Sequence, residues 1–368
     1  MQRRTIQLLL LSLALMAGCT KSEPLKIGFV GSITGKNADL GVAGRDATLL
    51  AAETVNAAGG INGRLVEVIV KDDAQTPEAA ANAIREFARD KVAAVIGPMG
   101  SSMAKAALPE ANKAKLVMVS PTSSSNELSG NEDYFFRVME PNLLFARHLA
   151  ETCLKLKIKR VAAIFDLQNR TYTVDIFQVF KDEFTRRGGV ITTEVSYDSA
   201  ANPAFNPLVK GLALNSADGV MVLANSVDAI NIGQQIRKAH PSIPILSGAC
   251  GIAQRDLVQQ AGKAVDNIIF TLPVNSQSTS EQFVKFRESF SKRFNYQPTF
   301  AAVLTYDAFQ ALLASLKKNP DPSRLKETIQ GIRSFAGLQG EIILDQYGDP
   351  NRKLFIIRIT GEREEVLQ

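Results

Sequence analysis

Two stretches crowd small hydroxyl side chains together, GPMGSS at 97–102 and SPTSSSNEL at 120–128. Each follows a short apolar run, Val92–Ile96 and Leu116–Val119, and the first leads into a helical pattern at Met103–Ala114. Ser101, Ser102, Thr122, Ser123, Ser124 and Ser125 can each donate one hydrogen bond and accept others. A helix start beside them adds N–H groups without intrahelical partners and a dipole that favours a carboxylate or phosphate. The chemistry on offer is recognition, because neither loop holds a nucleophile with a visible base. Two readings stand at this point. The serines are ligand loops at the carboxyl ends of neighbouring parallel strands, where open α/β sheets bind, or they are ordinary caps and serine turns.

Other chemistry finds little support. His148 and His240 fall on helical patterns with no Cys, Asp or Glu at metal spacing, and the chain holds neither GxSxG nor HExxH. The glycines of AAGGINGR at 57–64 end a helix where a dinucleotide fingerprint must begin one. The strand-end pair Asp72-Asp73 reads as a turn cap. No catalytic residue, cofactor or metal site is therefore expected. The composition, 45% hydrophobic and 21% charged over 368 residues, is that of a globular protein large enough for two domains.

The first nineteen residues follow different rules. Arg3 and Arg4 precede an apolar run from Ile6 to Ala17, too short to span a bilayer and ending in small residues, as a secretory signal does. Met16-Ala17-Gly18-Cys19 resembles a lipobox, in which a bacterial signal peptidase cuts before a diacylated cysteine. The expectation is a signal peptide at 1–19, lipid on Cys19, a polar tether at 20–24 and a protein held to a membrane at the periplasm or cell surface. Loss of Arg3 and Arg4 takes the formal charge from +5 to +3, too little to argue for nucleic acid. Beyond Cys19 stand only Cys153 and Cys250, read as buried small hydrophobes, with a bridge between them left open.

The elements that must position the hydroxyl loops alternate along the chain. Strand patterns at Leu25–Val30 and Leu65–Val70 flank a helix over Ala43–Ala57, which stops at Gly59-Gly60 before an Asn62-Gly63 turn. Thr76 caps a helix through Arg89 with Pro77 in its first turn. A second series runs through a helix from Pro141 to Leu156 and a strand at Arg160–Phe165, then a helix at Val174–Arg187 and a strand at Val190–Val195. It continues through a helix near Pro207–Leu214, the strand Gly219–Ala224, the helix Asp228–His240 and strands at Ile243–Leu246 and Ala264–Thr271. Helices at Ser280–Phe294, Ala301–Lys317 and Ser323–Ile332 and strands at Leu338–Leu344 and Lys353–Ile359 finish it. Strands alternating with helices of this length predict parallel sheets with helices on both faces. No glycine- or proline-rich linker separates the halves, which favours two lobes joined by several crossings.

These stretches resemble the type I periplasmic solute-binding proteins, in particular the leucine/isoleucine/valine-binding group that feeds ABC importers. The similarity rests on LKIGFVGSITG at 25–35, VNAAGGINGRLVEVIVKDDAQTP at 55–77, VIGPMGSSMA at 95–104, VSPTSSSNEL at 119–128, TYDAFQALLASL at 305–316 and GEIILDQYGDP at 340–350. It implies an α/β protein of two Rossmann-like lobes, linked by three hinge crossings around a ligand cleft. Lobe one would take 25–140 and 274–349, and lobe two 141–273 and 350–368. By the same resemblance Ser101, with Ser102 beside it, and Ser124 would hold a ligand carboxylate, and the carbonyl of Thr122, next to Ser123, would meet an α-amine. Tyr172, Asn225 and Ser226 would face them from lobe two. The implied partners are a small solute, amino acid or organic acid, and an ABC permease in the inner membrane.

Two positions depart from that family's pattern. Its amino-acid binders carry an acidic residue in the loop matching Gly248–Ile252, where this chain has Cys250, and Leu40 replaces the first-loop aromatic of the leucine binders. An ammonium closed into a cleft without a carboxylate costs several kcal/mol. The expectation is therefore a carboxylate-bearing solute that is a branched-chain or other amino acid, or a related organic acid. Asp166 or Asp228 is available as a substitute acid, although Asp228 also reads as the cap of its helix. The alternative function is the ligand-binding subunit of a sensor or cell-envelope regulator with the same fold.

Overall fold

The computed structural model describes residues 23–361 and 363–367 except Asn37 and 253–259, and it omits the side chain of Cys250. The signal peptide and Cys19 lie outside the described residues.

Lobe one is built on a five-stranded sheet ordered β2-β1-β3-β4-β5, every neighbouring pair parallel. Its strands are β1 (Leu25–Gly31), β2 (Val66–Asp72), β3 (Ala94–Ile96), β4 (Met118–Ser120) and β5 (Phe135–Arg137). The inner strands β3 and β4 are buried throughout, which is why they read as unbroken apolar runs. Helices α1 (Ala38–Ala57), α2 (Pro77–Arg89) and α3 (Ser101–Ala114) cover the faces. On α2, Ala80, Ala83, Ile84 and Phe87 form one buried stripe at helical spacing. Burial of Ile84 and Phe87 stabilises the lobe by about 1.5–3 kcal/mol each. Thr76 caps α2, accepting from the Ala79 N–H at 3.2 Å.

Lobe two carries seven strands ordered β15-β14-β10-β9-β8-β6-β7. The parallel part is β6 (Arg160–Asp166), β7 (Val190–Tyr197), β8 (Gly219–Leu223), β9 (Ile245–Ser247) and β10 (Ile268–Leu272). At one edge β14 (Phe355–Thr360) adds antiparallel to β10, and β15 (Arg363–Val366) antiparallel to β14. Helices α4 (Asn142–Lys155), α5 (Arg170–Arg186), α6 (Phe205–Gly211) and α7 (Ser226–Ala239) connect the parallel strands. The chain then returns to lobe one as α8 (Glu281–Phe294), α9 (Phe300–Lys318) and α10 (Leu325–Ile332), followed by a small sheet of β11 (Ser334–Gly337), β12 (Gly340–Leu344) and β13 (Pro350–Asn351). The backbone thus crosses between lobes after β5, after β10 and before β14. No helix among the described residues is long and apolar enough to cross a membrane.

Several expected boundaries change. The strand expected over Leu338–Leu344 is the second arm of a hairpin that begins at Ser334. The Leu338 N–H leaves the ladder to donate to the Asp307 carboxylate at 2.7 Å. The strand expected over Ala264–Thr271 opens as a 3-10 turn, and Asn267 at positive φ delays β10 to Ile268. Residues 350 and 351 pair with β12, so the third crossing starts after Asn351. The three-residue β5 carries too short a pattern to read from sequence, yet it completes the first sheet. Cys153 is a buried free thiol, and burial pushes its pKa up.

Candidate functional site

The two hydroxyl loops leave adjacent parallel strands, β3 and β4, and are tied to each other by their own side chains. Gly97 makes the turn out of β3 at φ +108, and a Cβ there would lie 2.1 Å from the Val30 carbonyl oxygen. Pro98 and Met99 then present carbonyls that accept from Ser120 Oγ at 2.6 Å, Ser123 Oγ at 3.3 Å and Thr122 Oγ1 at 2.6 Å. Those three hydroxyls hold loop to loop. Ser101 does the same with its acceptor side, taking the N–H groups of Ser124 at 3.1 Å and Ser125 at 3.3 Å. Its O–H proton is left for another acceptor. Ser124 differs from its neighbours. Its hydroxyl oxygen is buried and has no hydrogen-bond partner among the described residues.

Ser124 lines a small cavity of about 10 Å³ between the lobes, together with Met139, Phe145, Leu149, Tyr172, Ile176, Ser247, Gly248, Ala249 and Thr271. The lining is apolar apart from hydroxyls, and Thr271 Oγ1 is likewise buried without a partner. Tyr172 lies in the first turn of α5, which starts four residues before its expected position, and is 4% exposed. Position 248 must be glycine to admit it, because a Cβ there would meet Tyr172 Oη at 2.1 Å. Cys250 follows in a 3-10 turn, Ala249–Ile252, with its side chain outside the described residues. A second small cavity, of about 20 Å³, opens beside α3 and is lined from lobe one by Ser32, Leu40, Gln75 and Met99 and from lobe two by Gln168 and Asn169.

Contacts bridge the cleft from several loops. The Ser102 N–H at the start of α3 donates to Asn169 Oδ1 at 3.0 Å, and Ser102 Oγ accepts from the Thr171 N–H at 3.2 Å. Asn169 sits at the start of α5 without capping it, so its side chain serves the opposite lobe's helix instead. The Asn126 N–H donates to Asp175 Oδ2 at 2.8 Å, and Asn142 N–H to the Ser124 carbonyl at 2.6 Å. Farther from the hinge, Lys36 Nζ reaches Asp228 Oδ1 at 3.1 Å and the Ser199 carbonyl at 3.0 Å.

The acids of lobe two are accounted for differently from the sequence expectation. Asp228 does not cap α7. Asn225 does, its Oδ1 accepting from the Asp228 N–H at 2.9 Å while its Nδ2 donates to Asp228 Oδ2 at 3.0 Å. The Asn225 amide is thus engaged within its own lobe, and Ser226 is buried as the first residue of the helix. Asp166 is held by the N–H and hydroxyl of Ser199 at 2.9 and 2.8 Å and by the Gln168 N–H at 3.1 Å. Burial, with the Asp228 and Asp166 charges nearby, pushes the Tyr197 phenol up. In lobe one, Asp72 and Asp73 accept from Ala74 N–H at 2.8 Å and Gln75 N–H at 3.0 Å, the turn-capping role expected of them. Burial raises the Asp73 carboxyl. No group of three or more His, Cys, Asp or Glu among the described residues is placed to hold a metal ion.

The fold brings Ser101, Ser102, Thr122, Ser123 and Ser124 together and puts Tyr172 in one cavity with Ser124, whereas Asn225 and Ser226 start α7 and line neither of the two cavities. Sequence reasoning missed Lys36, Asn169, Asp175 and Thr271. Lys36 carries a faint signal, a lone basic residue inside the glycine-punctuated loop GSITGKNADLG. Asn169 and Asp175 carry none, because a polar residue near a helix start ordinarily serves its own helix.

Two lobes of parallel strands joined by three crossings, with hydroxyl loops meeting at the carboxyl ends of the strands, define a bilobal solute-binding protein of type I. The profile of the family described as periplasmic binding protein matches residues 24–364, and the chain belongs to that family. The Leu/Ile/Val-binding protein of Escherichia coli strain K12 is 25% identical over 351 residues, covering 91% of this chain and 93% of the relative. Among solved structures, a leucine-binding protein of Thermotoga maritima superposes with a TM-score of 0.85 at 23% identity, over 94% of this chain and 98% of its own. A solute-binding protein of an ABC transporter from R. palustris, in complex with benzoate, superposes at 0.84 and 21% identity, over 94% and 95%. At these identities the two superpositions speak for the fold alone.

Proposed function

We propose that this chain is the extracytoplasmic substrate-binding subunit of an ABC importer, and that it closes its two lobes on a small carboxylate-bearing solute. The ligand class is a branched-chain or other amino acid, or a related organic acid. One observation carries the reading: the Ser124 hydroxyl, buried and with no hydrogen-bond partner among the described residues, lines a small inter-lobe cavity whose walls are otherwise apolar side chains and hydroxyls. A buried hydroxyl left unpaired costs about 1–3 kcal/mol, and a ligand acceptor offsets that cost. The proton of Ser101 and the start of α3 lie beside it and favour an anionic acceptor. Tyr172 and the apolar wall would receive the body of the solute. The relatives' names, Leu/Ile/Val-binding protein and a benzoate complex, bracket the same class, acids with an apolar body. Membership in a family of binding proteins supports a non-enzymatic role.

On this reading lobe one comprises 25–140 with 274–351 and lobe two 141–273 with 352–368, the expected 349/350 boundary shifted by the pairing of residues 350 and 351 with β12, and Cys19 carries the lipid that holds the protein outside the cytoplasm. A thermal-shift screen of amino and organic acids tests the ligand class, since a solute at a hundred times its Kd adds about 2.7 kcal/mol. Small-angle scattering with a hit from the screen should show a smaller radius of gyration than without it. A screen in which no carboxylate raises the melting temperature would remove the proposal. Mass spectrometry of membrane-extracted protein tests the anchor, and an unmodified Cys19 in a freely soluble product would remove that part.

A further inference from the structure

The parallel strands of both lobes turn their carboxyl ends to the cleft, where segments after β1, β3 and β4 meet segments after β6, β7 and β8. The amino ends of the two sheets are therefore opposite outer ends of the molecule. At the outer end of lobe one, Arg64 and Leu65 precede β2, Lys91 precedes β3, and Lys113 and Lys115 precede β4. Asn62 Nδ2 donates to the carbonyls of Leu316 and Lys317, which brings the last turn of α9, with Lys317 and Lys318, to the same end. These five lysines are exposed, and none makes an ion pair among the described residues. With Lys26, Arg64 and Arg89 they outnumber the acids there, Glu23, Glu67, Asp90, Asp133 and Asp321, while Glu132 is paired with Lys326.

Two of the lysines stand where the backbone favours glycine. Lys91 follows α2 at φ +54 and Lys115 follows α3 at φ +53. After each, the next N–H returns to its helix, Val92 to the Phe87 carbonyl at 3.1 Å and Leu116 to the Ala111 carbonyl at 2.9 Å. Helix α1 closes with the same bond, Gly60 N–H to the Val55 carbonyl at 2.9 Å, and there the corresponding residue is Gly59 at φ +93. A residue with a Cβ is strained in that conformation, so backbone geometry does not account for lysine at 91 and 115.

The chain enters β1 at this same end, where Arg64 donates to the carbonyls of Glu23 at 3.0 Å and Pro24 at 3.4 Å. From Cys19 to Glu23 even a fully extended chain reaches only about 15 Å. Resting on the lipid anchor at Cys19 put forward above, we propose that this end of lobe one docks on the anionic headgroups of the bilayer, with lobe one standing between the membrane and the cleft. Basic side chains attract an anionic surface over about 8–10 Å at physiological salt, and a tether this short keeps them near that range.

The test is flotation of the mature chain, carrying Cys19→Ser so that no lipid holds it, with vesicles of equimolar phosphatidylglycerol and phosphatidylcholine. The otherwise unchanged chain should bind these vesicles and not phosphatidylcholine alone, and rising salt should release it. Lys91→Gly with Lys115→Gly should weaken binding at least about tenfold and leave the urea midpoint unchanged or higher, because glycine takes the left-handed conformation without strain. Lys317→Gln with Lys318→Gln, at helical positions, should weaken binding similarly and keeps the test decisive if the glycine variant fails to fold. Lys157→Gly is the control: Lys157 closes α4 at φ +63 at the outer end of lobe two, and its loss should change binding less than about twofold. Equal losses in the lobe-two and lobe-one variants would mean attraction to the charge of the whole chain and would overturn the proposal, as would the lack of a preference for anionic vesicles. A lower urea midpoint with unchanged vesicle binding would assign the lysines to the dipoles of their own helices and overturn it too. The mass of Cys19 reports the anchor independently, so a failed anchor and a failed lipid surface give different results.

Discussion

The cleft and the hinge are both buried inter-lobe regions, and they are built from opposite materials. The cleft is made mainly of hydroxyls and backbone groups, with Asp175, Lys36 and Asp228 as the charged side chains that bond across it. The hinge, a few residues away, is packed with charge. Arg137, fully buried at the end of β5, pairs with Asp349 at 2.7 Å, while Arg352 in the third crossing pairs with Asp307 of α9 at 2.9 Å and also bonds the Val138 carbonyl. Glu140, in the first crossing, is buried near both arginines. A buried ion pair holds one geometry because separating its members is costly, which suits crossings that must keep their register. A hydroxyl floor can exchange partners cheaply, which suits a surface that receives a solute.

The sharpest way to break the comparison is to unpair a hinge charge. Arg352→Met leaves Asp307 fully buried without its cation, and the expected loss is about 3–5 kcal/mol in urea unfolding. A loss under about 1 kcal/mol would show the hinge charges to be dispensable. Glu140 gives a smaller effect with a pH signature. Burial pushes its carboxyl from 4.5 up to about 7, against the pull of Arg352 and Arg137. The folded state then binds this proton more tightly than the unfolded chain. Its contribution is most favourable below the unfolded value, is lost as pH rises to about 7 and is flat beyond, a change of at most about 3 kcal/mol. Glu140→Gln should therefore gain on wild type across that window, and parallel stability curves between pH 4.5 and 7 would count against it.

In the cleft, two serines separate binding from stability. Ser124→Ala should weaken a bound carboxylate by about 1.5–3 kcal/mol, roughly ten- to a hundredfold, while stabilising the ligand-free protein by up to about 1–3 kcal/mol, because an unpaired buried hydroxyl is removed. Ser101→Ala should lose binding to a similar extent and also cost about 1–3 kcal/mol of stability, because two buried N–H groups lose their acceptor. Titration calorimetry and urea unfolding on both variants check this, and equal stability losses would merge the two roles. The smallest effect belongs to Asn225→Ala, a lost helix cap worth about 1 kcal/mol, read as a shift in urea midpoint. A larger drop in affinity than in stability would instead place that amide on the ligand.

Much of this protein is local and so was legible from the sequence. The Thr76 and Pro77 start of α2, the Asn62-Gly63 turn and the strand β1 each follow from a few adjacent residues, and the hydroxyl loops sit where their apolar runs end. Periodicity and capping act over one or two turns, which is why such features survive a reading with no partners in view. What the tertiary structure alone decided is where polar side chains spend their hydrogen bonds. Asp228 precedes a helical run and reads as its cap, yet Asn225 three residues earlier takes that role and leaves Asp228 to Lys36 of the other lobe. Asn169 likewise gives its oxygen to α3 instead of to its own helix. Of seven hydroxyls crowded into two loops, only folding distinguishes Ser124 from the rest: Ser101, Ser120, Thr122 and Ser123 bond across a gap of 22 to 25 residues, Ser102 reaches Thr171 of the other lobe and Ser125 caps its own turn, while Ser124 Oγ has no hydrogen-bond partner among the described residues. A hydroxyl's type is a property of the sequence. Its vacancy depends on every group that comes within 3.5 Å, and those groups are assembled only when the two lobes meet.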